Sequence, residues 1–245
     1  MKHAYIFNDE KSHKFWVIDY DETLDYLCVN FGKIGTAGKY QIKEFDDNEE
    51  CQKQAQKLIN SKIKKGYMFT DDFDFINHLY FDDIEYGLDE KTSHPNFTAH
   101  FKDEIYLSCY DEESPFGNDA GADTFADLEE YIRKHNDKDI LNFPYKIMMS
   151  WGYQHYIPPT HANIQEAVLK ELLDKDSDFV TQLDQVIIAT AFGQIKIMGK
   201  INLELKELAL LALERIKKSF VILGYDKSKI TQMLYRDLEN FKYCI

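Results

Sequence analysis

Val29-Asn30-Phe31-Gly32-Lys33-Ile34-Gly35-Thr36-Ala37-Gly38-Lys39 packs three glycines, two lysines and one aromatic residue into eleven positions. Glycine at that density permits a tight turn and a close approach of backbone N–H groups to a ligand. Lysines neutralise phosphates, and an aromatic ring can stack on a base or sugar. The flanking segments read as strands: 14–20, 26–31 and 40–45 are short, aromatic and β-branched, with turn or glycine-rich borders, and 4–7 add an edge strand. Asp46 or Asp47 then caps a helix, with Glu49 or Glu50 three residues on as capping-box partner. Cys51, Ala55, Leu58, Ile59 and Ile63 recur at helical spacing, and Gly66 stops the helix. The expected product over residues 1–70 is a twisted antiparallel sheet with one packed helix.

Beyond it, residues 68–75 read as a linker or the first edge of a second domain, and 71–245 as a mainly α-helical domain. The whole is therefore α+β. Helical patterns run over about 123–135, 161–174, 179–198, 202–222 and 226–241, with Gly199 and Gly224 at C-cap positions and Asp226 as an N-cap. The 179–198 and 203–222 helices are apolar on nearly all sides, which predicts central, buried positions. Ile105–Cys109 and Tyr145–Met149 have the composition of strands.

Charge is unevenly spread. The chain of 245 residues carries a net −14. Residues 1–70 hold 11 lysines and 11 carboxylates, whereas 71–140 hold 5 basic and 20 acidic side chains. The N-terminal module is thus neutral overall and free to present a basic face. The acidic stretch either restrains that module by repelling a polyanion over about a Debye length, near 8 Å, or is a solvated surface pointing elsewhere. The four cysteines, Cys28, Cys51, Cys109 and Cys244, form no CxxC and fit free thiols in a reducing cytoplasm. No secretory leader is recognised. The longest uncharged apolar run, 185–195, falls short of the ~20 residues a membrane span needs.

Three pieces in order carry a family likeness: Lys14-Phe15-Trp16-Val17-Ile18, the glycine turn, and Lys62-Ile63-Lys64-Lys65-Gly66-Tyr67 after a lysine-rich helix. Together they resemble a WGR domain, a module named for an aromatic-Gly-Arg turn and found in DNA-damage-sensing ADP-ribosyltransferases and small bacterial proteins. Nearly the whole chain is similar to a small bacterial family that joins a WGR module to an acidic, α-rich region. The resemblance implies the sheet-and-helix fold and nucleic acid as partner, DNA in preference to RNA, with recognition of ends or breaks. The residues it points to are Asn30, Phe31, Gly32, Lys33, Gly35, Thr36, Gly38 and Lys39. Phe31 stands at the aromatic position, and Lys33 replaces the arginine, keeping the charge but losing the bidentate fork.

Competing readings stay open. Phe31 shares strand parity with Leu27 and Val29, so it either faces the core or offers a stacking platform. Lys53, Lys57 and Lys64, broadened by Lys62 and Lys65, form a phosphate-contacting stripe or a solvated helix face. Asp111, Glu113, Asp119 and Asp123 do not match an EF-hand loop, and Asp119 or Asp123 suits a helix cap. His94/His100 and His155/His161 repeat an H-x5-H spacing, more in keeping with loop or partly buried histidines than with a metal site. Trp151-Gly152-Tyr153 reads as a packed aromatic turn. No P-loop, dinucleotide fingerprint, nucleophile elbow or zinc motif appears, so no cofactor and no catalytic residue is assigned. A protein-docking module, through the sheet or the acidic domain, and an enzyme with its site near 111–123 are the rival functions.

Overall fold

The computed structural model describes residues 2–226 and 228–245. The chain forms two compact units, one ending at His94 and the next beginning at Pro95.

The first unit is an antiparallel sheet of five strands: β1 (Lys2–Asn8), β2 (His13–Tyr20), β3 (Tyr26–Lys33), β4 (Lys39–Glu44) and β5 (Met68–Thr70), in the order β4-β3-β2-β1-β5. Helix α1 (Asn48–Lys64) follows β4. Asp47 caps it by accepting from the Glu50 N–H at 2.7 Å, and Gly66, at φ +87°, follows its last turn. Because strand side chains alternate, Tyr5, Trp16, Ile18, Leu27 and Val29 share one face and bury against Cys51, Ala55 and Ile59 of α1.

The other face carries Ala4, Phe15, Val17, Cys28, Asn30, Tyr40 and Ile42. Residues 71–94 cover it, almost without regular secondary structure. Phe73 and Phe75 pack on Phe15, Ala4 and Val17. The Tyr40 hydroxyl donates to the Leu79 carbonyl at 3.1 Å, and the Tyr26 hydroxyl donates to Asp89 at 3.1 Å. At the outer edge of β4 the Ile42 N–H donates to the carboxylate of Asp83, 2.7 Å away. Of residues 68–75, expected as a linker or the edge of a second domain, the first three form β5 and the rest begin a strap over 71–94 that completes the sheet's second hydrophobic layer, held by side-chain anchors that leave no periodicity to read.

The second unit is helical: α2 (Pro95–His100), α3 (Asp119–His135), α4 (Phe143–Ser150), α5 (Glu166–Met198), α6 (Leu203–Ile222) and α7 (Lys229–Asn240). Two expected strands are helical instead. Glu104–Leu107 is a 3-10 turn and 145–149 lies inside α4, whose Pro144 occupies the first turn that proline favours. The two helices expected over 161–174 and 179–198 are present but abut without a loop: Asp176, at φ −163° and ψ 85°, leaves the helical region, and its carboxylate accepts from the Phe179 N–H at 2.9 Å to start the second. From Phe179 to Met198 α5 is buried on almost every side, whereas α6 buries only a stripe through Leu205, Ala209, Ala212, Arg215 and Ser219. Asn118 caps α3 and Ser228 caps α7, in place of the aspartates the sequence suggested. Asp184 of α5 and Arg215 of α6 form a fully buried ion pair, with both Nε and Nη2 donating to the carboxylate at 2.8–3.1 Å and Nη1 donating to the Ile157 carbonyl at 3.0 Å.

Candidate nucleic-acid interface

The β3–β4 connection is built by its glycines. Gly35 and Gly38 have φ +87° and +69°. A Cβ on Gly38 would stand 2.7 Å from the Phe31 carbonyl oxygen, and one on Gly32 would stand 2.7 Å from the Gly38 Cα. The two limbs can close only because neither position has a side chain. Thr36 locks the turn from within, its N–H and hydroxyl both donating to the Lys33 carbonyl at 3.1 and 2.8 Å.

Strand alternation then sorts the side chains. Phe31 and Lys33 of β3 point to the helix side. So do Lys14, paired across from Lys33, and Lys39, paired across from Phe31. Lys43 of β4 joins them, while Glu44 falls on the other face. Phe31 does share parity with Leu27 and Val29, but it lies at the end of the core cluster and remains 37% exposed. Both readings of its parity therefore describe part of the truth: the ring faces the helix side and is still open to solvent.

The helix lysines divide. Lys53, Lys57 and Lys64 lie about half a turn away from the buried positions Cys51, Ala55 and Ile59 and form a solvated outer face; Lys53 pairs with Glu49. Lys62 falls in line with the buried positions and reaches over the sheet. Its Nζ stands 5.2 Å from the Trp16 ring, 5.0 Å from Tyr67 and 5.9 Å from Phe31. Partial burial, followed by the repulsion of Lys65, Lys14 and Lys43, holds its pKa below the usual lysine value. Among the described residues none of Lys14, Lys33, Lys39, Lys43, Lys62 and Lys65 is ion-paired. The strap bearing the eight carboxylates of residues 71–94 covers the opposite face.

One expected contact residue is elsewhere. Asn30 is 4% exposed on the strap side, where its Nδ2 donates to the Ala37 carbonyl at 3.0 Å. It shapes the turn and is closed to a ligand, as the parity opposite to Phe31 dictates. The structure leaves Lys33, Gly35, Thr36 and Lys39 exposed and Gly32 and Gly38 half-buried. Lys14, Lys43, Lys62 and Lys65 add to the positive charge near the turn, which the glycine turn alone did not reveal. Strand pairing would have supplied the first two and the helical wheel the third.

The other constellations stay apart. His94 Nε2 donates to the Ile76 carbonyl and His100 Nε2 to the Asp237 carbonyl, at 2.9 and 2.7 Å, while His155 lies on the Phe179 ring. Among the described residues no three His, Cys, Asp or Glu side chains are placed to hold a metal. In the second unit an open cleft of about 570 Å³ is lined by Glu112, Asp119, Asp123, Trp151, Tyr153 and Gln182, among others, with no histidine or cysteine. No helix among the described residues is long and apolar enough to cross a membrane.

Comparison with known proteins agrees with this architecture. The model of the WGR domain matches residues 1–74. Over 247 aligned residues the chain is 45% identical to the Uncharacterized protein YfeS of Escherichia coli (strain K12), covering 99% of both. The chain belongs to the YfeS family. Protein YehF of the same organism is 44% identical over 68 residues, 28% of this chain and 24% of its own length. A solved structure from Bacteroides fragilis is 27% identical, with a TM-score of 0.28, over 54% of this chain and 40% of that one. The relatives are thus bacterial. WGR domains are associated with nucleic-acid binding in general, and the sheet with α1 is the WGR domain here.

Proposed function

We propose that the WGR domain binds nucleic acid on the open end of its helix-side face, DNA in preference to RNA, and favours an end or break. The observation that carries this is Phe31, exposed among six lysines that have no ion-pair partner among the described residues, with Lys14 set directly across from Lys33. Like charges opposed across two strands destabilise a sheet, and a phosphate lying between them reverses that cost. A single ring stacks on a single base or sugar, which suits a terminus better than a continuous strand. The preference for DNA rests on the likeness of the glycine turn to modules of DNA-damage-sensing enzymes. A second reading, docking of a basic segment of another protein, is supported by the carboxylates beside Trp151 and Tyr153 in the cleft of the helical unit.

Titration of the full chain with nicked, blunt and single-stranded oligonucleotides tests the proposal. Binding should be micromolar or weaker, tightest for nicked or blunt DNA, with a log–log salt slope of roughly −2 to −4. Lys33→Glu should weaken binding to all sequences alike, because phosphate contacts carry no sequence information. Unchanged affinity in a folded Lys33→Glu variant would move the site elsewhere. No binding to any of the three ligands would leave protein docking as the better reading.

A further inference from the structure

We propose that His78, on the strap and beyond the part of the chain that the WGR model matches, is a positioning residue for the lysine turn: through Asn30 it fixes the path of residues 34–38 and so the placement of Lys33 and Lys39. The role rests on the nucleic-acid reading of that turn, although the turn's geometry can be measured without any ligand.

The connection is short. Asn30 Nδ2 donates to the Ala37 carbonyl at 3.0 Å, so its Oδ1 is left to accept. His78 Nε2 lies 2.9 Å from that Oδ1 and must carry the proton. A directed chain therefore runs from the imidazole N–H through the Asn30 amide to the backbone of the turn. Asn30 sits on the same strand as Phe31 and Lys33 but faces the other way, so it couples the two sides of the sheet at the level of the site.

Packing gives a second route. The His78 ring stands edge-on to Phe15 and Phe73, with centroids 5.4 and 5.1 Å apart, and near Tyr80 at 5.7 Å. The tip of the Phe15 ring lies under Gly38, where an added Cβ would come within 2.6 Å of Cζ. His78 is also kept neutral. Burial first, then the nearby positive charge of Lys2, pushes it down to about 4, with His94 acting the same way and the Ala37 carbonyl and Asp74 pulling against them. A neutral ring with its proton on Nε2 is a constant donor at physiological pH.

The turn needs such a tether. Gly35 and Gly38 give its backbone many alternatives, and the lysines at its two ends repel each other. The Thr36 bonds close the first limb onto Lys33, whereas the second limb is held at Ala37, whose carbonyl accepts from Asn30 and is also met by the His78 ring. If the tether is lost, the binding-competent turn becomes a fraction of the population and affinity falls by that fraction.

The test uses the full chain with His78→Leu and His78→Gln, each measured for affinity to a blunt duplex and for the amide resonances of residues 34–38. His78→Leu should lower affinity about three- to tenfold, the range of one net hydrogen bond, and shift or broaden those amides. His78→Gln, which keeps an N–H donor, should restore both. A folded His78→Leu variant with wild-type amide resonances at 34–38 overturns the proposal. If the wild type binds no duplex, the interface reading fails while the amide resonances still decide the role of His78. If His78→Leu does not fold, the imidazole nitrogen shifts of the wild type decide: a proton on Nε2 supports the tether, and one on Nδ1 overturns it.

Discussion

Two charged clusters in this protein are built on opposite principles. Asp184 and Arg215 are sealed inside the helical unit, each of the three guanidinium nitrogens donates a hydrogen bond, and the charges cancel. The lysines around Phe31 lie at the surface of the sheet, share one sign and have no carboxylate among the described residues to answer them. Burial pushes the Asp184 carboxyl above its usual range, and the charge and hydrogen bonds of Arg215 pull it back down. Lys62, by contrast, is pushed down by burial and by its own neighbours. A balanced buried pair belongs to the architecture. An unbalanced exposed group of like charges costs stability and is better explained by something that binds it.

The contrast breaks most readily at the buried pair. Arg215→Met should destabilise the helical unit by about 3–5 kcal/mol, since it strands Asp184 without a counter-charge, whereas the double change Arg215→Met with Asp184→Leu should recover most of that loss. Chemical denaturation of the three proteins checks this. A single variant as stable as the wild type would show that the pair is not the internal strut described here.

At Phe31 the effect should fall on binding. Phe31→Ala should lose about 1–3 kcal/mol of nucleic-acid affinity if the ring stacks on a base or sugar, with little change in melting temperature. A fully core aromatic ring would instead cost about 3–5 kcal/mol of stability, so a large drop in melting temperature would sink the stacking role. The smallest effect is the most telling in sign. Lys14→Glu places an opposite charge across from Lys33 and should stabilise the sheet by about 0.2–1 kcal/mol while weakening nucleic-acid binding. A variant that is both less stable and unimpaired in binding would remove the trade-off on which the contrast depends.

The parts of this design that were legible in sequence are those that follow a period. Strand alternation over 14–20 and 26–31, the Asp47 cap and the Gly66 stop laid out the sheet and α1. Short apolar runs such as 105–109 and 145–149 fit a strand as well as a helix by periodicity alone, and only Pro144 signalled that the second begins a helix. Asn30 was grouped with its sequence neighbours, although alternation sends it to the far face. Lys62 was read as one of a lysine stripe until the helical wheel put it in line with Cys51 and Ala55. His78 left no signal at all, because its meaning depends on where an irregular strap comes to rest.

Asp83 has a consequence beyond the single hydrogen bond it makes to Ile42. A free strand edge is a template on which a second chain can add, and a row of open N–H groups invites polymerisation. On β4 a carboxylate occupies one of those donors and confronts any arriving backbone carbonyl with negative charge. At the other margin β5 is three residues long, too short to offer much purchase. Both margins of the sheet thus discourage strand addition, one by a charged anchor and the other by its shortness.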